Sequence, residues 1–119
     1  MLSLPLYHTQ NLMEIPMISW ARVNELRDEI GDEDFAEVAA MFLEEVDEVI
    51  QRLKSNPVPE KYEEDLHSLK GSALNLGFEA LSKICNEGEQ LAASGDTDAV
   101  NLVPVFEIYE KSCAEFKSA

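Results

Sequence analysis

The sequence predicts an all-α fold, an up-and-down antiparallel four-helix bundle with an additional short N-terminal helix. Three observations predict it. Apolar residues recur at spacings of three and four from residue 20 almost to the C-terminus, and no segment alternates as a strand would. Glycine and proline fall between the periodic segments, at Gly31, Pro57, Pro59, Gly77 and Gly95. The connections are short, which makes sequential helices antiparallel neighbours.

Taken in order, residues 1–18 form an N-terminal extension, partly packed or flexible, and residues 19–119 form the bundle. The extension carries Pro5 and Pro16 and no sustained period, yet Leu2, Leu4, Leu6, Tyr7, Leu12 and Met13 favour packing of part of it on the domain. Ser19 is placed to cap a helix from Trp20 to about Ile30, closed by Gly31. Asp32 or Asp34 is placed to cap a longer one, with Phe35, Val38, Ala39, Phe42, Val46, Val49, Ile50 and Leu53 on its apolar face. SNPVP ends it, because proline cannot continue a helix. Pro59 suits the first turn of the third helix, and the acidic EKYEED that follows suits a helix N-terminus. That helix stops near Gly77. A fourth spans about Glu79 to Ala93, SGD supplies a glycine stop and an aspartate cap, and the last runs to near Phe116, with Pro104 at its start or kinking it. Trp20, Phe35, Phe42, Phe106 and Phe116 read as core, and Met41 as either core or interface.

Composition narrows the function. The chain has 119 residues, enough for one compact domain, and its 45% hydrophobic content argues against disorder. Nine Lys and Arg against 24 Asp and Glu give a net charge of −15, the wrong sign for a nucleic-acid binder. Such acidity steers the protein toward a basic patch on a partner. Cys85 and Cys113 have no metal spacing and read as reduced, buried thiols. No apolar run approaches the ~18 residues of a membrane span, and the N-terminus lacks the basic start of a signal peptide. A cytoplasmic protein, away from membranes, is expected.

The stretch HSLKGSALNLG, residues 67–77, holds a glycine inside the third helix, where glycine costs about 1 kcal/mol against alanine. On a helix of ~100° per residue, Tyr62, Leu66, Leu69, Ala73 and Leu76 form one apolar stripe. His67 then lies roughly 140° from the centre of that stripe, with Gly71 nearly opposite it. Lys70 and Gly71 neighbour His67 at i+3 and i+4, and Leu74 follows one turn on. The glycine removes a side chain where another molecule must approach the histidine. Geometry alone equally allows an ordinary surface histidine beside a tolerated glycine.

Chemically the patch suits a phosphoryl carrier. A neutral imidazole is a nucleophile near neutral pH, and phosphoryl transfer rests on positioning and charge stabilisation, for which Lys70 supplies one cation. With no phosphate-binding glycine loop and no kinase signature, the chain has no means of taking the group from ATP. A metal enzyme is disfavoured: Glu64 and His67 match one Glu-x-x-His pair of a di-iron bundle, but His8, the only other histidine, has Pro5 three residues before it.

His67-Ser68-Leu69-Lys70-Gly71-Ser72, followed by Leu76-Gly77, Leu81 and Cys85, resembles the HxLKGS…LG…L signature of histidine-containing phosphotransfer (HPt) domains. The upstream Phe42-Leu43 helix and the five-helix layout agree, and the resemblance covers roughly residues 19–117. It implies a phosphorelay intermediate that accepts a phosphoryl group on His67 from a receiver-domain aspartate and passes it to another receiver. Lys70 would lie near the phosphoryl oxygens and Gly71 would clear space for the receiver. Leu74 and Phe78 are implied as apolar contacts, with Glu64, Ser68 and Asn75 also on the partner-binding face. Some members hold a glutamine on the next helix against the histidine's other nitrogen; the matching position here is Glu89, a carboxylate able to orient the ring and raise its basicity. Gly88 beside it is unusual in a helix interior.

No cofactor is implied for this chain, since the Mg²⁺ of such transfers would belong to the receiver. Expected partners are response-regulator receivers and a hybrid sensor kinase, with the chain itself a monomer. Met1 and the non-linker extension favour a free-standing protein over a piece of a larger kinase. The rival reading is a phosphorylation-independent acidic helical adaptor. Donor, acceptor, direction of flow and output are not written in the sequence.

Overall fold

The computed structural model describes residues 16–118. Over that range the chain forms five α-helices: α1 Trp20–Ile30, α2 Asp32–Ser55, α3 Tyr62–Leu76, α4 Glu79–Ala93 and α5 Val103–Ser118. Short 3-10 turns at Pro59–Lys61 and Thr97–Ala99 precede α3 and α5, and no strand occurs among the described residues. The expectation for the extension falls mostly on residues 1–15, including His8, which lie outside the described residues.

The boundaries follow local chemistry. Ser19 caps α1, its hydroxyl accepting from the Arg22 amide. Gly31, rather than Asp32 or Asp34, stands at the head of α2, because the chain turns from one helix to the next in a single residue. The aspartates are instead the first turn itself, where their charge complements the helix dipole. Pro59 opens a 3-10 turn and α3 proper begins at Tyr62. Pro104 sits in the first turn of α5 and kinks nothing; Asn101 accepts the Val103 amide just ahead of it.

Helix α3 ends in a left-handed Gly77 at φ 88°, with the Phe78 amide reaching back to the Ala73 carbonyl at 2.8 Å. The Gly77 carbonyl accepts the Ser19 amide at 2.7 Å, which fastens the start of α1 to the end of α3. A Cβ on Gly77 would lie 2.9 Å from the Ser19 carbonyl oxygen, so only glycine fits.

α3 and α4 form the most extensive helix pair, α2 packs on α3, α5 on α4, and α1 bridges α2 and α3. Leu66, Leu69, Ala73 and Leu76 from α3 meet Val46, Ile50 and Leu53 from α2, Leu81 and Cys85 from α4 and Val105 from α5 in one buried core. The aromatics expected in that core are divided. Phe35 is buried, whereas Phe42, Phe106 and Phe116 are half-buried and Trp20 is 39% exposed. Trp20 stacks on Phe116 at 6.2 Å, and Phe116 in turn meets Phe78 edge-on at 5.6 Å, a ladder running from surface to interior. Met41 is on the surface. At the other end of α3, buried Asp65 accepts two hydrogen bonds, at 2.9 and 2.7 Å, from the Arg52 guanidinium of α2. Among the described residues no helix is long and apolar enough to cross a membrane.

Candidate functional site

The apolar stripe of α3 fixes where His67 points. With Leu66, Leu69, Ala73 and Leu76 buried, the imidazole projects outward and its side chain is 68% exposed. Gly71, one turn on, has nothing within 4 Å of the place a Cβ would occupy. The surface beside the ring is therefore open. Leu74 adds an apolar side chain, 54% exposed, one turn further.

Helix α4 supplies the second half of the site. Gly88 is buried against α3, and a Cβ there would lie 2.8 Å from Cδ1 of Leu66. The missing side chain lets α4 come close enough for the next residue, Glu89, to reach the histidine. This resolves the oddity of a glycine in that helix: it is a packing requirement set by a residue 22 positions away.

Nδ1 of His67 and Oε2 of Glu89 are 2.8 Å apart. An ionised carboxylate only accepts, so Nδ1–H donates and the lone pair of Nε2 is left facing solvent. The other carboxylate oxygen, Oε1, is closed off from water and meets the Lys70 ammonium at 2.8 Å, an ion pair not aligned as a hydrogen bond. Lys70 also donates to Oδ1 of Asn86 at 3.4 Å. One carboxylate thus holds the imidazole and the ammonium together. The Lys70 ammonium, and after it the hydrogen bond to His67, hold the Glu89 carboxyl below its ordinary 4.5 against the upward push of burial. Glu89 is ionised at neutral pH, as this arrangement needs.

The remaining residues singled out in the sequence divide clearly. Glu64 and Ser68 are exposed on the His67 side of α3, and Glu64 lines an open groove with Glu60, Glu63, His67 and Glu89. Asn75 is exposed beside Leu74, its backbone carbonyl accepting from Nε of Arg22 at 3.1 Å. Phe78 is a correction. Expected on the contact surface, it is fully buried, because the left-handed Gly77 turns the chain inward and the ring packs against Phe116. It offers no surface to a partner.

Asn86 was missed, although it sits one helical turn before Glu89 and shares its face. Counting back from Glu89 would have found it. Cys85 and Cys113 are both free. Burial, with the Glu89 charge nearby, pushes the Cys85 thiol up to about 12, so it is no thiolate nucleophile. Cys113 is half-buried rather than buried.

The family model described as the Hpt domain matches residues 37–114, a span that contains both α3 and α4 in full. No curated protein and no solved structure matches the chain significantly.

Proposed function

Because this chain belongs to the Hpt domain family, whose members act in histidine phosphotransfer and bind response-regulator receivers, we propose that His67 is the phosphoryl carrier of a phosphorelay. It takes the group from the aspartate of one receiver and gives it to the aspartate of another. The observation that carries this reading is the pairing of an outward Nε2 with a carboxylate on Nδ1.

The chemistry needs little else. The Nε2 lone pair attacks phosphorus, an N–P bond forms, and the P–O bond to the receiver's aspartate breaks, with the aspartate leaving as its carboxylate. No proton has to be removed, because the attacking nitrogen carries none. The ring gains positive charge as it is phosphorylated, and the Glu89 carboxylate at Nδ1 offsets it. Lys70, on a flexible stem, moves from Glu89 to the incoming phosphoryl oxygens and supplies a cation there. Gly71 leaves room for the receiver, and Leu74 with Asn75, Ser68 and Glu64 forms the surface it meets. In this reading magnesium belongs to the receiver, and the transfer asks no cofactor of this chain. The helices α2 to α5 form the up-and-down antiparallel bundle that carries the site, within a domain spanning residues 19–119, and α1 is the extra helix.

The test is phosphoryl transfer from a panel of phosphorylated receivers with Mg²⁺, comparing the wild type with His67→Gln. Acid-labile, base-stable label on the wild type alone, with both proteins equally helical, is the expected result. Receiver binding without label on the wild type would replace this reading with that of an adaptor.

A further inference from the structure

The Lys70 ammonium has two partners on α4, and the transfer proposed above engages only one of them. Nζ lies 2.8 Å from Oε1 of Glu89 and 3.4 Å from Oδ1 of Asn86. Asn86 and Glu89 stand three residues apart and share one face of α4, with Lys70 reaching both from α3. The two partners differ in charge. Glu89 is a carboxylate whose Oε1 is closed off from water, and the Lys70 and Glu89 side chains are only 24% and 17% exposed. An ion pair so sheltered is weakly screened, and it holds the ammonium back from a second anion. Asn86 attracts the same ammonium through a neutral amide oxygen, and it lines a groove together with Lys70 and Leu74.

We infer that Asn86 is a positioning residue for phosphoryl transfer: its amide oxygen keeps hold of the Lys70 ammonium while the phosphoryl oxygens draw that ammonium from Glu89. The inference rests on the phosphotransfer reading and gives the moving lysine a pivot. An ammonium has three N–H groups. One stays on Oδ1 of Asn86, and the others pass from the carboxylate to the phosphoryl oxygens. Without the pivot, the long side chain is either paired with Glu89 or loose in solvent with its full rotamer freedom. A neutral acceptor suits this task and a charged one does not. An amide oxygen competes weakly with a phosphoryl group for the ammonium, whereas a second carboxylate would compete strongly. Asn86 therefore acts through Lys70 and needs no contact with the phosphoryl group.

The experiment is single-turnover transfer from a phosphorylated receiver with Mg²⁺ to Asn86→Ala and Asn86→Asp. Each is made in the wild type and in Lys70→Ala, and His67→Gln sets the background. A long hydrogen bond to a charged group lies at the weak end of its class, so Asn86→Ala should slow transfer about tenfold. The loss should fall on the rate at saturating receiver rather than on the half-saturating concentration. Asn86→Asp keeps an oxygen at the same place and should be slowed at least as much, because its charge retains the ammonium. In Lys70→Ala neither change should slow transfer further. Alanine favours a helix, and circular dichroism should show every variant folded. Either Asn86 variant transferring at the wild-type rate, or Asn86→Asp transferring faster than Asn86→Ala, overturns the inference while leaving His67 as carrier. So does Asn86→Ala slowing Lys70→Ala as much as it slows the wild type, which would make its role one of packing. A wild type that no receiver labels overturns the phosphotransfer reading itself.

Discussion

Filling the gap at Gly71 should make the protein more stable and less functional at once. A Cβ there meets nothing within 4 Å, so Gly71→Ala adds no clash. Its effect on folding is then that of helix propensity, about 1 kcal/mol in favour of alanine, with glutamine gaining somewhat less. For a domain of 119 residues this corresponds to a rise in Tm of about 4 °C. Docking responds oppositely. In the proposed transfer the approach to Nε2 of His67 passes over this position, one turn along the same face, and misplacing reacting atoms by about 1 Å can cost on the order of 100-fold in rate. Gly71→Gln, with a side chain several ångströms long, should therefore slow single-turnover transfer from a phosphorylated receiver by about 100-fold, and Gly71→Ala by less. Thermal unfolding followed by circular dichroism and rapid-quench transfer kinetics report the two effects separately. Transfer by Gly71→Gln at the wild-type rate would refute the clearance argument. A fall in Tm for Gly71→Ala would refute the open surface itself.

Gly77→Ala is the opposite case: a left-handed alanine costs about 1–2 kcal/mol and contact with the Ser19 carbonyl and Val23 about 1–3 more, so urea unfolding should show a loss of about 2–5 kcal/mol. A loss under 1 kcal/mol would mean that α1 moves aside freely. Glu89→Gln keeps an oxygen acceptor for Nδ1–H but removes the counter-charge of Lys70. Because the folded-state carboxyl of Glu89 lies below 4.5, its contribution to stability is present above that pH and lost as pH falls through the lowered value. The urea midpoint of Glu89→Gln should therefore decline less steeply than that of the wild type from about pH 6 to about pH 3. Parallel curves would show that the His67–Glu89–Lys70 contacts contribute nothing to folding.

Features set by local chemistry were legible in the sequence. Ser19, Gly31, Pro57, Gly77 and Gly95 mark helix ends because caps and breakers act over a few residues. The outward placement of His67 followed from helical periodicity alone, since four apolar residues on one face leave the histidine no other direction. What depends on the approach of distant helices was not legible. Gly88 is unusual in a helix interior by local rules, and only the packing of Leu66 against it supplies the reason. Phe78 and Trp20 exchanged expected places because a ladder of three aromatics across α1, α5 and the α3–α4 turn decides which ring is innermost. Glu89 was found by counting along the chain, but its simultaneous hold on Lys70 was not, because that needs the crossing of α3 and α4 in space.

Trp20 has one further consequence. It is the only tryptophan in the chain, and it stands at the first position of α1, ahead of the matched segment 37–114, stacked on Phe116 of α5. Its indole emission therefore watches the attachment of α1 and not the bundle's interior. A shift in fluorescence that precedes the loss of helical signal would mark release of this first helix while the His67-bearing face of α3 and α4 is still assembled.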